Sequence, residues 1–174
     1  MASLTDLPGT AEKLLAAFVA QLEAQDVELP ERRYRAPGSM IVWDGEQMTV
    51  ALMGIDQGQP GVVIAQSMVA SALSLSAQFS INLVRQVTGL QADKPFSASI
   101  PDEDVMDGDG VVMLGDAAAL IRAASEIHAQ DSNTGGKAFG VISPGESFVI
   151  GPLQPLGPEG GLAGTRLLIS LSVD

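Results

Sequence analysis

The sequence predicts an α+β fold: a mainly antiparallel (mixed) sheet with two α-helices packed on one face, in the order helix, strands, helix, strands. Three observations predict it. From Leu73 to Leu83, the apolar Leu73, Leu75, Ala77, Phe79, Ile81 and Leu83 alternate with Ser74, Ser76, Gln78, Ser80 and Asn82, the period of two that a strand imposes on its faces. Two other segments, 7–25 and 109–130, carry apolar residues at helical steps and so draw an amphipathic stripe. Strand patterns lie between the helices and after the second one, the order expected of helices covering one sheet face. The 174 residues fit a single domain, 1–174.

Taken in order, Leu7, Leu14, Leu15, Phe18, Val19 and Leu22 form the stripe of the first helix, and Asp6 with Pro8, or Thr10 after Gly9, supplies its start. Asp26 to Pro37 is expected to be irregular, held extended by Pro30 and Pro37. Inside it Arg32, Arg33 and Arg35 surround Tyr34. These arginines either pair with the chain's own carboxylates or meet an acidic neighbour, with phosphate binding a third use. Ser39 to Trp43 and Gln47 to Ile55 read as strands joined at Asp44-Gly45, a dipeptide that tolerates positive φ in a hairpin. Trp43 beside that turn reads as a core or sheet-edge anchor.

Asp56 to Gly61 reads as a loop, and Val62 to Ala70 is ambiguous between loop and strand. The long strand over 73–83 follows, its uncharged polar face turned to water or packed on another subunit. Thr88 to Gly110 is polar and interrupted by Pro95 and Pro101. In the second helix Val112, Met113, Ala117, Leu120, Ile121, Ala124 and Ile127 form the expected buried stripe, with Asp107 and Asp109 as caps. Gln130 to Gly136 is expected to be its exit loop. Strands are expected over Ala138 to Val141 and Ser147 to Ile150 around a turn at 143–146, and over Thr165 to Val173. Between them 151–161, with three prolines and four glycines, reads as a shaped loop without a strand.

Composition limits the function. Apolar residues at 46% and charged residues at 17% exclude a disordered chain, and no apolar run approaches the roughly 20 residues of a membrane span. A soluble protein is expected, with no membrane association. Met1 to Leu7 has no basic cluster leading into an apolar core, so no secretory signal is expected. The lack of cysteine removes disulfides, thiol nucleophiles and thiolate metal sites, and fits a reducing compartment. Against 21 Asp and Glu stand 9 Lys and Arg, a net charge of −12 that repels phosphate backbones.

Catalytic constellations are sparse. His128, the one histidine, sits late in the second helix beside the stripe residue Ile127, where a helix-end side chain is expected in place of a general base. Asp102, Glu103, Asp104, Asp107 and Asp109 resemble a calcium loop in composition only, because Met106 takes the fifth position and no glutamate the twelfth. Gly135-Gly136-Lys137 runs into Ala138 where a phosphate loop needs Ser or Thr. The glycines at 157–161 lack the strand-turn-helix setting of a dinucleotide fingerprint. No catalytic residue, metal site or cofactor is expected.

Several phrases resemble a known family. Arg33-Tyr34-Arg35-Ala36-Pro37-Gly38, Trp43-Asp44-Gly45-Glu46-Gln47, Gln57-Gly58-Gln59-Pro60-Gly61, Leu114-Gly115-Asp116-Ala117, Gly151-Pro152-Leu153 and Gly157-Pro158-Glu159-Gly160-Gly161 look like the tail terminator proteins of long, flexible-tailed phages of actinobacteria. The resemblance implies a non-enzymatic virion subunit, assembled in the host cytoplasm. Such subunits form a six-membered ring at the head-proximal end of the tail tube, end tube polymerisation and join the tail to the neck. Tube protein and head-closure protein are then its partners, and DNA passes through the lumen without specific binding. In such a ring Arg32, Arg33, Tyr34 and Arg35 are the expected subunit contact. Pro152, Leu153, Gln154, Pro155, Leu156, Pro158 and Glu159 are the expected contact with tube or neck. The alternatives are another head-tail connector or tube subunit, and a small cytoplasmic α+β enzyme or ligand-binding domain.

Overall fold

The computed structural model describes residues 6–38, 44–57, 75–88, 102–142, 148–159 and 161–173. Two helices, α1 (Leu7–Glu23) and α2 (Glu103–Thr134), cover one face of a five-stranded mixed sheet. Its strands are β1 (Arg33–Ala36), β2 (Gln47–Gln57), β3 (Leu75–Gln86), β4 (Phe148–Glu159) and β5 (Leu162–Val173), in the spatial order β1-β2-β3-β5-β4. Only β1 and β2 run parallel; the other neighbours are antiparallel. The α+β class and the order helix, strands, helix, strands are as expected from the sequence.

The core forms where the two periodicities meet. Leu14, Phe18 and Leu22 of α1 and Leu120, Ala123 and Ile127 of α2 pack on Met48, Val50, Phe79, Ile81, Leu83, Leu167 and Ile169 of the sheet. Burying each large side chain contributes roughly 1.5–3 kcal/mol, and β3 and β5 supply most of the sheet side. The Asp6 carboxylate caps α1 by accepting from the Gly9 N–H at 3.1 Å. Its other end closes where Asp26 takes a φ of 56° and the Val27 N–H reaches the Leu22 carbonyl. Gly164 in β5 sits where an added Cβ would lie 2.5 Å from the Leu83 carbonyl oxygen, so this approach of β5 to β3 requires glycine.

Several boundaries differ from the sequence expectation, each for a physical reason. The segment 26–37 is not wholly irregular, because Arg33–Ala36 adds β1 in parallel to β2. β2 is thereby flanked by β1 and β3, while the strand expected over 39–43, with Trp43, lies outside the described residues. Asp56 and Gln57 belong to β2, not to a loop, and 58–74 lie outside the described residues. The polar face of β3 is neither open to water nor left for a partner at Ser80 and Asn82, which are fully buried. The Asn82 amide donates to Thr49 Oγ1 and Ser80 Oγ at 3.1 Å each and accepts from Arg166 Nε at 2.8 Å. Hydrogen bonds make that burial tolerable.

α2 is longer at both ends than the stripe suggests. It starts at Glu103 behind Asp102, so Asp107 and Asp109 lie within its first turns instead of capping it. It continues to Thr134, where the expected exit loop begins only at Gly135, a left-handed residue at φ 65°. Ala138 to Val141 is not a strand. The buried Asp131 carboxylate takes the N–H groups of Phe139, Gly140, Val141 and Ile142 at 2.7–3.3 Å, which removes those donors from any ladder. The turn at 143–146 lies outside the described residues.

The largest correction is 151–161, expected as a loop. Residues 151–159 continue β4, pairing with β5 through Leu153↔Leu167, Gln154↔Arg166 and Pro155↔Thr165. Prolines are tolerated because β4 is the outermost strand. Pro152 and Pro158 also fall inside the two register shifts, Ile150/Leu153 and Leu156/Glu159.

Asp131→Ala is expected to cost about 2–4 kcal/mol in urea unfolding, because it strands buried N–H donors; a loss below about 1 kcal/mol would show that 139–142 is held by other contacts. Gly164→Ala is expected to cost about 1–3 kcal/mol in the same measurement through overpacking against β3.

Candidate functional site

Four surface features carry the chain's accessible chemistry, and the sheet positions each of them. The first is the arginine edge. In β1 the alternation turns Arg33 and Arg35 toward α1, and each meets an acid there. Arg33 Nη1 lies 2.9 Å from Glu23 Oε1, and Arg35 Nη1 lies 3.5 Å from Glu12 Oε2. Arg33 Nε also donates to the Pro30 carbonyl and Arg35 Nη1 to the Pro8 carbonyl. Arg32, just before the strand, pairs with Asp44 at 2.6 Å and lies over the Tyr34 ring, 5.7 Å from its centroid. The hydrogen bond and charge of Asp44 raise the Arg32 pKa. The Tyr34 hydroxyl donates to Gln47 Oε1. All three arginines therefore hold carboxylates of their own chain, the first of the three uses open to them in the sequence. Their side chains remain 34–49% exposed, so these exposed pairs contribute little stability and leave donors facing outward.

The second feature is the opposite edge. Pro152, Gln154, Pro155, Pro158 and Glu159 are exposed along β4, while Leu153 and Leu156 are half-buried. The residues expected as a rim loop are thus a rigid strand edge whose three prolines lack the N–H that a neighbouring strand would need.

The third is a cleft of about 580 Å³ between α2 and the end of β3. At its floor, Arg85 Nε and Nη2 donate to Asp116 Oδ2 and Oδ1 at 2.8 and 3.0 Å, a bidentate pair in which both residues are more than nine-tenths buried. Burial lowers the Arg85 pKa, but the hydrogen bond and charge of Asp116 outweigh it, so the net shift is upward. Glu46 and Asp109 at the mouth accept from the N–H groups of Gln86 and Thr88. Sequence reasoning missed this pair, although a signal was present: in the period of two, Arg85 falls on the apolar face of β3, where a charge needs a partner.

The fourth is an apolar groove of about 530 Å³ between the start of α1, the end of β1 and the middle of β2, lined by Leu7, Pro8, Ala36, Val50, Leu52 and Phe79, with Arg35 at its lip. Across the molecule the first turns of α2 expose Val105, Met106, Val111, Val112 and Leu114, the last at 74%. Val112 and, further on, Ile121 were expected in the buried stripe. Val112 is exposed because the buried residues of α2 begin only at Asp116, and Ile121 because it falls off the face that Leu120, Ala123, Ala124 and Ile127 turn to the core.

His128 stands exposed on α2 with its ring 5.6 Å from that of Phe148. Among the described residues no group of His, Asp and Glu is arranged to hold a metal ion, and no helix is long and apolar enough to cross a membrane. A small α+β protein with one helix-covered sheet face is the class that this fold defines. No protein-family model matches the sequence, and no curated protein matches it.

Asp116→Ala is expected to cost about 3–5 kcal/mol, since it leaves Arg85 buried and unpaired. Arg85→Met combined with Asp116→Leu is expected to recover most of that loss in a double-mutant cycle of urea titrations. A double variant that loses the sum of the single losses would show that the two do not act as a pair. The raised Arg85 pKa makes its contribution complete below the unfolded value and lost only as pH climbs through the folded one. The Asp116→Ala deficit is therefore expected to stay constant from about pH 7 to about pH 10.

Proposed function

We propose that this protein is a virion structural subunit of the tail terminator type. It forms a ring at the head-proximal end of a phage tail tube, ends tube polymerisation and joins the tail to the neck. One observation supports the reading above others. Three of the phrases that carry the resemblance, which begin at Arg33, Gly151 and Gly157, contribute residues to β1 and β4, the two edges of the sheet. Edges are where assembly contacts belong, β1 toward a neighbouring subunit and β4 toward tube or neck, as in a cyclic ring whose subunits present unlike surfaces. Those two edges differ in chemistry, one rich in half-exposed arginines and one rich in proline. Around a lumen the net charge of −12 suits passage of DNA without counterion-release binding. Tube and neck proteins are the partners of this reading, and it involves no catalysis.

A ligand-binding domain is the second reading, favoured by the cleft floored by Arg85 and Asp116.

Light scattering with negative-stain images of the purified chain, alone and with isolated tail tubes, separates the two. A closed ring of about six copies, free or seated on the tube end, is expected. A monomer that stays monomeric in both samples would overturn the ring reading. In phage assembly, loss of the chain is expected to give tails of uncontrolled length.

A further inference from the structure

We infer that neighbouring copies meet head to tail, with the first turns of α2 of one copy seated in the apolar groove beside β1 of the next. The inference rests on the ring reading above and names its contact. At the projecting end, Val105, Met106, Val111 and Leu114 are 45–74% exposed, a concentration of apolar surface that marks an interaction site. Among the described residues nothing packs closely on this helix end at its glycines: a Cβ added at Gly108, Gly110 or Gly115 would meet no atom within 4 Å. Asp102 makes no side-chain cap there, and glycines weaken a helix that has no packing partner. A seat on another molecule supplies packing that the described residues do not.

The groove has the matching character. Leu7, Pro8, Ala36, Pro37 and Leu52 line it above the buried Val50 and Phe79, and its volume of about 530 Å³ accommodates several side chains. Charge is complementary as well. Glu103, Asp104 and Asp107 flank the exposed apolar residues of α2 and are themselves exposed. Arg35 at the groove lip is 49% exposed and holds Glu12 only at 3.5 Å, so its guanidinium keeps donors for a second carboxylate.

Position decides the symmetry of the contact. Asp116, where α2 reaches the core, is bonded to Arg85 at the end of β3, beside the start of β2. The groove lies by the end of β1 and the amino terminus of α1, over the middle of β2 and nearer the start of β3 than Arg85. Two copies related by a twofold axis through α2 would set Glu103, Asp104 and Asp107 against their equals. A head-to-tail contact pairs unlike surfaces and repeats until it closes.

The absence of cysteine makes the test clean. Leu114→Cys and Ala36→Cys proteins are treated with a short thiol–thiol cross-linker, each alone and mixed. Covalent dimers are expected in the mixture and in neither sample alone. No dimer in the mixture, or dimers in Leu114→Cys alone, overturns the contact. A chain carrying both cysteines is expected to give a ladder that stops at the ring size. A ladder without an end upholds the contact and removes the ring; rings seen by mass without cross-links do the reverse. Leu114→Asp, on the exposed face of α2, is expected to abolish association while leaving the thermal transition within a few degrees of the parent. Association unchanged in that variant also overturns the contact.

Discussion

The ion pair of Arg85 and Asp116 is the constraint on which the placement of α2 depends. It joins the last turn of a core strand to the point where the helix first touches the core. Removing two charges from water is costly, and the bidentate geometry offsets that cost only at one relative position of helix and strand. An apolar contact would tolerate a shift by part of a turn. The pair does not, so it fixes the register of α2 and with it the direction in which residues 103–115 leave the body of the molecule. At the far end of the same helix, Asp131 repeats the device with backbone donors. Between these two carboxylates the helix is clamped, and the packing of Leu120, Ala123 and Ile127 follows.

The sheet has a comparable constraint on its other face. Asn82, Ser80, Thr49 and Arg166 form a connected polar set across β2, β3 and β5. A slip of one residue would turn this set toward the helices and the apolar set away. Both faces of the central strands therefore specify one register, the first by exclusion of water and the second by satisfaction of hydrogen bonds.

Much of the fold was legible because periodicity records burial. The alternation in β3 and β5 and the stripe of α1 read correctly to within a few residues, since each of these elements has one face in the core. Legibility failed where the pattern is set by something other than a half-buried face. β1 is too short to show a period, and its arginines on the inner side answer to Glu12 and Glu23 across the edge. β4 carries the composition of a loop because an outermost strand tolerates prolines at its bulges. The start of α2 was hidden because Val105, Met106, Val111 and Leu114 are exposed, so they draw no single stripe. Of the site residues, the arginines were found by clustering. Arg85, Asp116 and Asp131 were not, because single charges acquire meaning only when the fold gives them a partner.

The prolines of β4 have a consequence for how the chain behaves in bulk. A strand edge with a full row of donors is a template, and at high concentration templates recruit indiscriminately, ending in tangled precipitate. Pro152, Pro155 and Pro158 spoil the template on the flank formed by the longer of the two edge strands. The opposite flank offers only four residues. Crowding alone thus gives copies little purchase on one another through their backbones. What they recognise must be written in side chains, which can discriminate among neighbours in a way that a backbone cannot.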